Sequence, residues 1–85
     1  MTIRFSNAFL RQYPKLPQSI RKKTDTQVKY LAQNLRHPGL HARKMTKAGD
    51  IWEARIDEHY RMTFQIEGDT ILIRKVGTHE IYRNP

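Results

Sequence analysis

Apolar residues in this chain recur at two different spacings, and the change between them falls at His37-Pro38-Gly39. Before it, Ile20, Thr24, Val28, Leu31 and Leu35 follow at intervals of four, four, three and four, the repeat of one face of an α-helix. After it, Trp52, Ala54 and Ile56 alternate with Glu53 and Arg55. Tyr60, Met62, Phe64 and Ile66 then alternate with His59, Arg61, Thr63 and Gln65, the repeat of strands covered on one face. Helical and extended segments that come in blocks, rather than interleaved, predict an α+β fold with the helices gathered on one side of an antiparallel sheet. At 85 residues the chain makes one domain, 1–85.

The remaining segments complete that outline. Thr2-Ile3-Arg4-Phe5 alternates as a short strand, and Ser6 or Asn7 offers an N-cap for a first helix carrying Phe9, Leu10, Tyr13 and Leu16 on one side. Pro14 and Pro17 bound that helix, and Pro17 suits the first turn of the second. Arg43-Lys44-Met45 is a short extended segment, and Lys47-Ala48-Gly49-Asp50 is a turn. Glu67-Gly68-Asp69 turns into a last strand, Thr70–Val76, whose Ile71-Leu72-Ile73 run suits a strand covered on both faces. Arg74 fits neither face of a simple alternation. The expected architecture is an N-terminal strand and a two-helix hairpin packed on a small, mainly antiparallel twisted sheet, with the helices over the Trp52/Tyr60/Phe64 face. Tyr13, Tyr30 and Tyr60 read as edges of the core, and Trp52 as core.

Charge narrows the class of partner. The net charge is +8, and residues 1–47 hold eleven Lys and Arg against the single acid Asp25, whereas residues 48–85 hold five against seven. A basic front half beside a near-neutral back half predicts a positive surface suited to a polyanion. The sequence has no cysteine, which excludes disulfides and thiolate metal sites. No apolar run approaches the length of a membrane span or a secretory signal, so a cytoplasmic protein with no membrane partner is expected. Walker, GxGxxG, GxSxG and HExxH patterns are missing, leaving nucleotide binding, serine hydrolysis and a histidine metal site without a basis in the sequence.

The polar side of the strands is where chemistry is expected. Glu53, Arg55, His59 and Arg61 fall close together there, and the terminal Val76-Gly77-Thr78-His79-Glu80-Ile81-Tyr82-Arg83 brings His79 and Tyr82 toward them. An acid, imidazoles, a phenol and guanidiniums are the parts that phosphodiester cleavage uses: a base for a ribose 2′-OH, an acid for the departing 5′ oxygen, and arginine for the phosphate. A plainer account stands beside this one. Glu53 with Arg55 or Arg61 also fits a cross-strand ion pair contributing about 0.2–1 kcal/mol, Arg21-Lys22-Lys23 fits a solvated helix face, and His37 and His41 fit loop residues.

Taken together, Leu16-Pro17 ahead of the long helix, Trp52-Glu53-Ala54-Arg55-Ile56, Tyr60-Arg61-Met62-Thr63-Phe64 and Val76-Gly77-Thr78-His79-Glu80-Ile81-Tyr82 resemble the RelE/ParE toxin superfamily of bacterial toxin–antitoxin systems over essentially the whole chain. The resemblance implies a small α+β toxin held in check by a cognate antitoxin. RelE-like members cleave mRNA in the ribosomal A site by 2′-OH attack, with neither metal nor other cofactor. On that likeness Arg61 binds the scissile phosphate, His79 is the general acid, Tyr82 orients the substrate and Arg55 is a basic residue of the preceding strand. Glu53 stands where the best-known RelE-type enzyme has lysine, so a Glu53/His79 acid–base pair is the variant implied here. Lys44, Arg43, Arg21, Lys22 and Lys23 would contact RNA of the ribosome. The same fold also serves ParE-like inhibitors of DNA gyrase, in which Glu53, Arg61 and His79 are only surface groups, and it can persist in a non-toxic binding module.

Overall fold

Among the described residues, five strands and two helices are arranged so that the first strand lies beside the last. The computed structural model describes residues 1–45 and 49–85, and Lys47 and Ala48 of the expected turn lie outside them. In chain order the elements are β1 (Thr2–Phe5), α1 (Asn7–Gln12), α2 (Gln18–Gln33), β2 (Arg43–Lys44), β3 (Trp52–Arg55), β4 (Arg61–Glu67) and β5 (Thr70–Gly77). Single 3-10 turns cover Tyr13–Lys15, Pro38–Leu40 and His79–Arg83. The sheet order is β1-β5-β4-β3-β2, parallel between β1 and β5 and antiparallel elsewhere.

Local chemistry sets the helix boundaries. Ser6 caps α1, its hydroxyl accepting from Phe9 N–H at 3.1 Å while it donates to the Arg74 carbonyl across the sheet. Pro17 is the N-cap of α2 rather than part of its first turn. The Arg21 guanidinium closes the corner by donating to Leu16 O at 2.7 Å. The inward stripe of α2 runs Ile20, Thr24, Gln27, Leu31, so Gln27 takes a place that the sequence reading gave to Val28, which is half-buried. Thr24 satisfies its buried hydroxyl on Ile20 O at 2.8 Å. Leu10, expected on the covered side of α1, is exposed.

The core lies between the helices and one face of the sheet. Phe9, Leu16, Ile20, Leu31 and Leu40 meet Ala54, Ile56, Met62, Phe64, Ile71, Ile73 and Val76. Each large side chain buried there contributes roughly 1.5–3 kcal/mol. Tyr13, Tyr30 and Tyr60 border this cluster, as their positions predicted, whereas Trp52, expected within the core, is half-buried at its border. Ile73 and Val76 share the face although three residues apart, and the register explains it. Thr63 pairs with Lys75 and Phe64 with Ile73, so Arg74 is the extra residue of a β-bulge. That bulge resolves the one residue that fitted neither face.

The second face of the sheet is less open than its polar pattern predicts. The segment after β5 folds back across it, and Pro85 O accepts from Thr63 Oγ1 at 3.0 Å and from Arg74 Nε at 3.1 Å. Thr63 is consequently fully buried, and Glu53 is 5% exposed. Glu53 was expected on a solvated face; the returning C-terminal segment and the β2 edge bury it.

Candidate active-site cleft

The cleft lies at the β2 edge of that second face, and each wall comes from a different element. Register pairs Arg43 with Glu53 and Arg55 with Arg61, which lays one acid and three guanidiniums on neighbouring strands. His41, on the turn ahead of β2, and Tyr82, on the 3-10 turn after β5, complete a cavity of about 310 Å³.

Glu53 is the most constrained of these groups. Its Oε1 accepts from Arg43 Nε at 2.5 Å, in an ion pair whose arginine is largely exposed and whose carboxylate is 7% exposed. Its Oε2 is buried and has no hydrogen-bond partner among the described residues. The Tyr82 hydroxyl lies close enough to the same carboxylate to add, after burial, to the rise in the phenol's pKa.

Arg61 is held from behind. Its Nη1 donates to the carbonyls of Asp57 and Tyr60, the latter at 3.0 Å, and its other nitrogens have no partner among the described residues. The turn that holds it is tied by Asp57 Oδ1, which accepts from His59 N–H at 2.9 Å and Tyr60 N–H at 2.8 Å. Burial raises the pKa of Asp57, but these two donors outweigh it and hold the carboxyl below its ordinary value. The Tyr82 phenol is pushed above its ordinary value by burial first and then by the Glu53 carboxylate, so it remains a neutral donor at physiological pH.

His41 was read from the sequence as a loop residue, yet it lines the cleft. It is the one non-glycine residue at positive φ among those described, at +46°. The left-handed angle ends the 3-10 turn Pro38–Leu40, with the His41 N–H donating to Pro38 O at 3.3 Å. Gln27 was also missed. Its Nε2 donates to Gly39 O at 2.8 Å and to Arg55 O at 2.6 Å, bracing the turn that carries His41 against the end of β3. The available signal was the four-three-four spacing of Ile20, Thr24, Gln27 and Leu31, which fits a helix face as well as the all-apolar choice does.

Of the expected catalytic residues, Glu53, Arg55, Arg61 and Tyr82 share the cleft. His79 is exposed and stands outside its lining, with its ring centroid 6.1 Å from that of Tyr82. His59 is exposed in the turn beside Glu58. Of the expected RNA contacts, Arg43 is in the cleft, while Lys22 and Lys23 line an adjoining groove that shares His41 and Arg55 with it. Lys44 lies on the exposed edge strand 3.3 Å from Asp50. Arg21 is engaged with the helix corner, a structural task the sequence did not reveal. Among the described residues no group of three His, Asp or Glu is placed to hold a metal ion, and no helix is long and apolar enough to cross a membrane.

The ParE-like toxin domain family matches residues 18–84, most of the chain and all of the cleft. The chain belongs to that family. No curated protein sequence matches it. Solved structures that resemble it carry the same toxin fold. The RelB–RelE antitoxin–toxin complex of Methanococcus jannaschii aligns at 24% identity over 96% of this chain and 99% of that one, with a TM-score of 0.75. The YoeB/ParE toxin of Agrobacterium tumefaciens aligns at 10% identity over 93% and 99%, with a TM-score of 0.80. The intact Escherichia coli RelBE toxin–antitoxin complex aligns at 16% identity over 91% and 94%, with a TM-score of 0.74. The α+β class and the superfamily read from the sequence are both borne out. This ParE-like domain has the fold of toxins from toxin–antitoxin systems.

Proposed function

We propose that this domain is an endoribonuclease toxin that cleaves ribosome-bound mRNA and is restrained by a cognate antitoxin. The observation that carries the reading is the convergence of the Glu53 carboxylate, the guanidiniums of Arg43, Arg55 and Arg61 and the Tyr82 phenol on one cleft. A ribose 2′-OH entering the cleft meets the Glu53 carboxylate, and the neighbouring phosphate meets the guanidiniums. As Glu53 takes the 2′-OH proton, the 2′ oxygen bonds to phosphorus and the bond from phosphorus to the 5′ oxygen breaks. The products are a 2′,3′-cyclic phosphate and a 5′-hydroxyl. Arg61, braced from behind, stabilises charge on the non-bridging oxygens.

The departing 5′ oxygen takes its proton from an imidazole. His79 was the residue implied for this step; His41 lines the cleft and is the donor that the geometry favours. Tyr82 orients the ribose with its neutral hydroxyl. The nucleophile belongs to the substrate, so the reaction needs no metal-bound hydroxide. Lys22, Lys23 and Lys44 extend the positive surface toward ribosomal RNA.

The test is expression in a translating extract with mapping of mRNA 5′ ends by primer extension. New ends within translated frames are expected, and Glu53→Gln or Arg61→Ala should slow their appearance about 10²–10⁴-fold. Intact mRNA overturns the reading; intact mRNA accompanied by DNA breakage selects gyrase as the target instead.

A further inference from the structure

Directly across His41 from the cleft is a second cavity of about 300 Å³, on the helix side of the sheet edge. Its walls include Trp52, Pro38, Leu35 and Ala42, with Arg36, His37 and His41 as the charged or polar groups on its lining. We propose that this cavity binds one nucleobase of a single-stranded RNA whose backbone passes through the cleft. The proposal rests on the nuclease reading for its substrate class, and it adds a base-binding site to a surface read so far only for phosphate.

Three observations point to a base. The cavity is lined mainly by flat or apolar groups, and its size admits a heterocyclic ring, whereas a phosphate gains little from such a lining. Its walls are fixed in advance. Trp52 stacks on Phe64 with centroids 6.1 Å apart, His37 lies 3.8 Å from the Tyr30 ring, and Gly39 N–H donates to His37 Nδ1 at 3.1 Å. A rigid aromatic wall with a guanidinium near it is the arrangement on which unpaired bases stack.

Position supplies the third argument. His41 borders both cavities, so a strand whose phosphate lies against Arg43, Arg55 and Arg61 rounds the sheet edge at His41 and delivers the next base to Trp52. The edge there is β2, only two residues long, which leaves little backbone to obstruct the turn. Charge favours nucleic acid over a protein side chain as the occupant. The cleft on one side carries three arginines, and the groove beyond it carries Lys22 and Lys23.

Trp52 is the chain's single tryptophan, so its fluorescence reports on the aromatic wall of this cavity, with the abasic trimer as the control for binding in the cleft. The intact protein is titrated with a 2′-O-methyl RNA trinucleotide, which cannot be cleaved, and with the matching abasic ribose–phosphate trimer. Saturable quenching by the base-bearing trimer is expected, with about 5- to 150-fold weaker binding of the abasic one, the contribution of one stacked base. Ala42→Leu, which fills the cavity, should abolish the quenching and bring the two affinities together. Unchanged emission up to millimolar trimer, or equal quenching by both trimers, overturns the proposal. So does quenching that appears only with an acidic peptide, which would assign the cavity to a protein partner. The two readings fail separately: mRNA cleavage without quenching removes the base site alone, and quenching without cleavage removes the nuclease alone.

Discussion

Replacing Gly77 by alanine should loosen the C-terminal segment that closes the cleft, and the structure gives the size of the effect. Gly77 pairs with Arg61 across β4 and β5. A Cβ placed on it falls 2.5 Å from Glu80 Oε1 and 2.9 Å from Ile81 Cγ2, closer than real Cβ contacts come. The Glu80 carboxylate, at the far end of an exposed side chain, swings away only by giving up its bonds to Thr78, and Ile81 is packed in place. The Glu80 carboxylate accepts from Thr78 N–H at 3.1 Å and from the Thr78 hydroxyl, and Ile81 is 2% exposed. Overpacking of this kind costs about 1–3 kcal/mol. In a domain of this size each kcal/mol lowers Tm by about 4–8 °C, so Gly77→Ala should melt roughly 5–20 °C below the parent. The adjacent turn carries Tyr82, so RNA cleavage should fall further than it does in Tyr82→Phe. Urea and thermal unfolding measure the cost, and a double-variant cycle identifies its source. If the carboxylate is the obstacle, Gly77→Ala with Glu80→Ala should lose at least about 0.5 kcal/mol less than the two single changes summed. A Tm within about 1 °C of the parent, or strict additivity in the cycle, would refute the argument.

Two further outcomes separate roles that proximity alone leaves joined. His41→Gly keeps the left-handed backbone and removes the imidazole, so stability should hold within about 1 kcal/mol while cleavage slows about 10²–10⁴-fold; His79→Ala should slow it far less, and the reverse ranking by single-turnover cleavage would return the acid role to His79. Tyr82 is raised in pKa by burial and then by Glu53, and Tyr13 by its 2.5 Å hydrogen bond to Asp25 and then by burial. Folded pKa values above the unfolded one mean that their contribution to stability is complete below about pH 10 and is lost as pH rises through the folded values. Urea midpoints followed into that alkaline range should therefore fall more steeply in the parent than in a Tyr13→Phe, Tyr82→Phe double variant, and parallel curves would contradict the assignment.

Legibility followed the range of the interactions involved. Periodicity within one segment was enough to place α2, β3, β4 and β5 and to identify Ile20, Leu31, Ala54, Met62 and Phe64 as core, because each signal is local. The β-bulge at Arg74 showed only as a misfit, since it is a property of two strands in register. Glu53 read as solvated because its alternation is that of an exposed position; its burial comes from a segment about thirty residues later in the chain. His41 was passed over for a related reason. Its backbone angle and its place between two cavities exist only once Gln27 has bound Gly39 and Arg55. The residues that carry charge were named from the sequence, whereas the ones that position them were not.

The pairing of Thr2–Phe5 with the fifth strand bears on how such a protein is made. Thr2–Phe5 has no mate until Thr70–Ile73, far along the chain, has been made. Tyr82, which lines the cleft, arrives later still. A chain made only as far as β4 therefore has neither its outer parallel pairing nor the Tyr82 wall of the cleft.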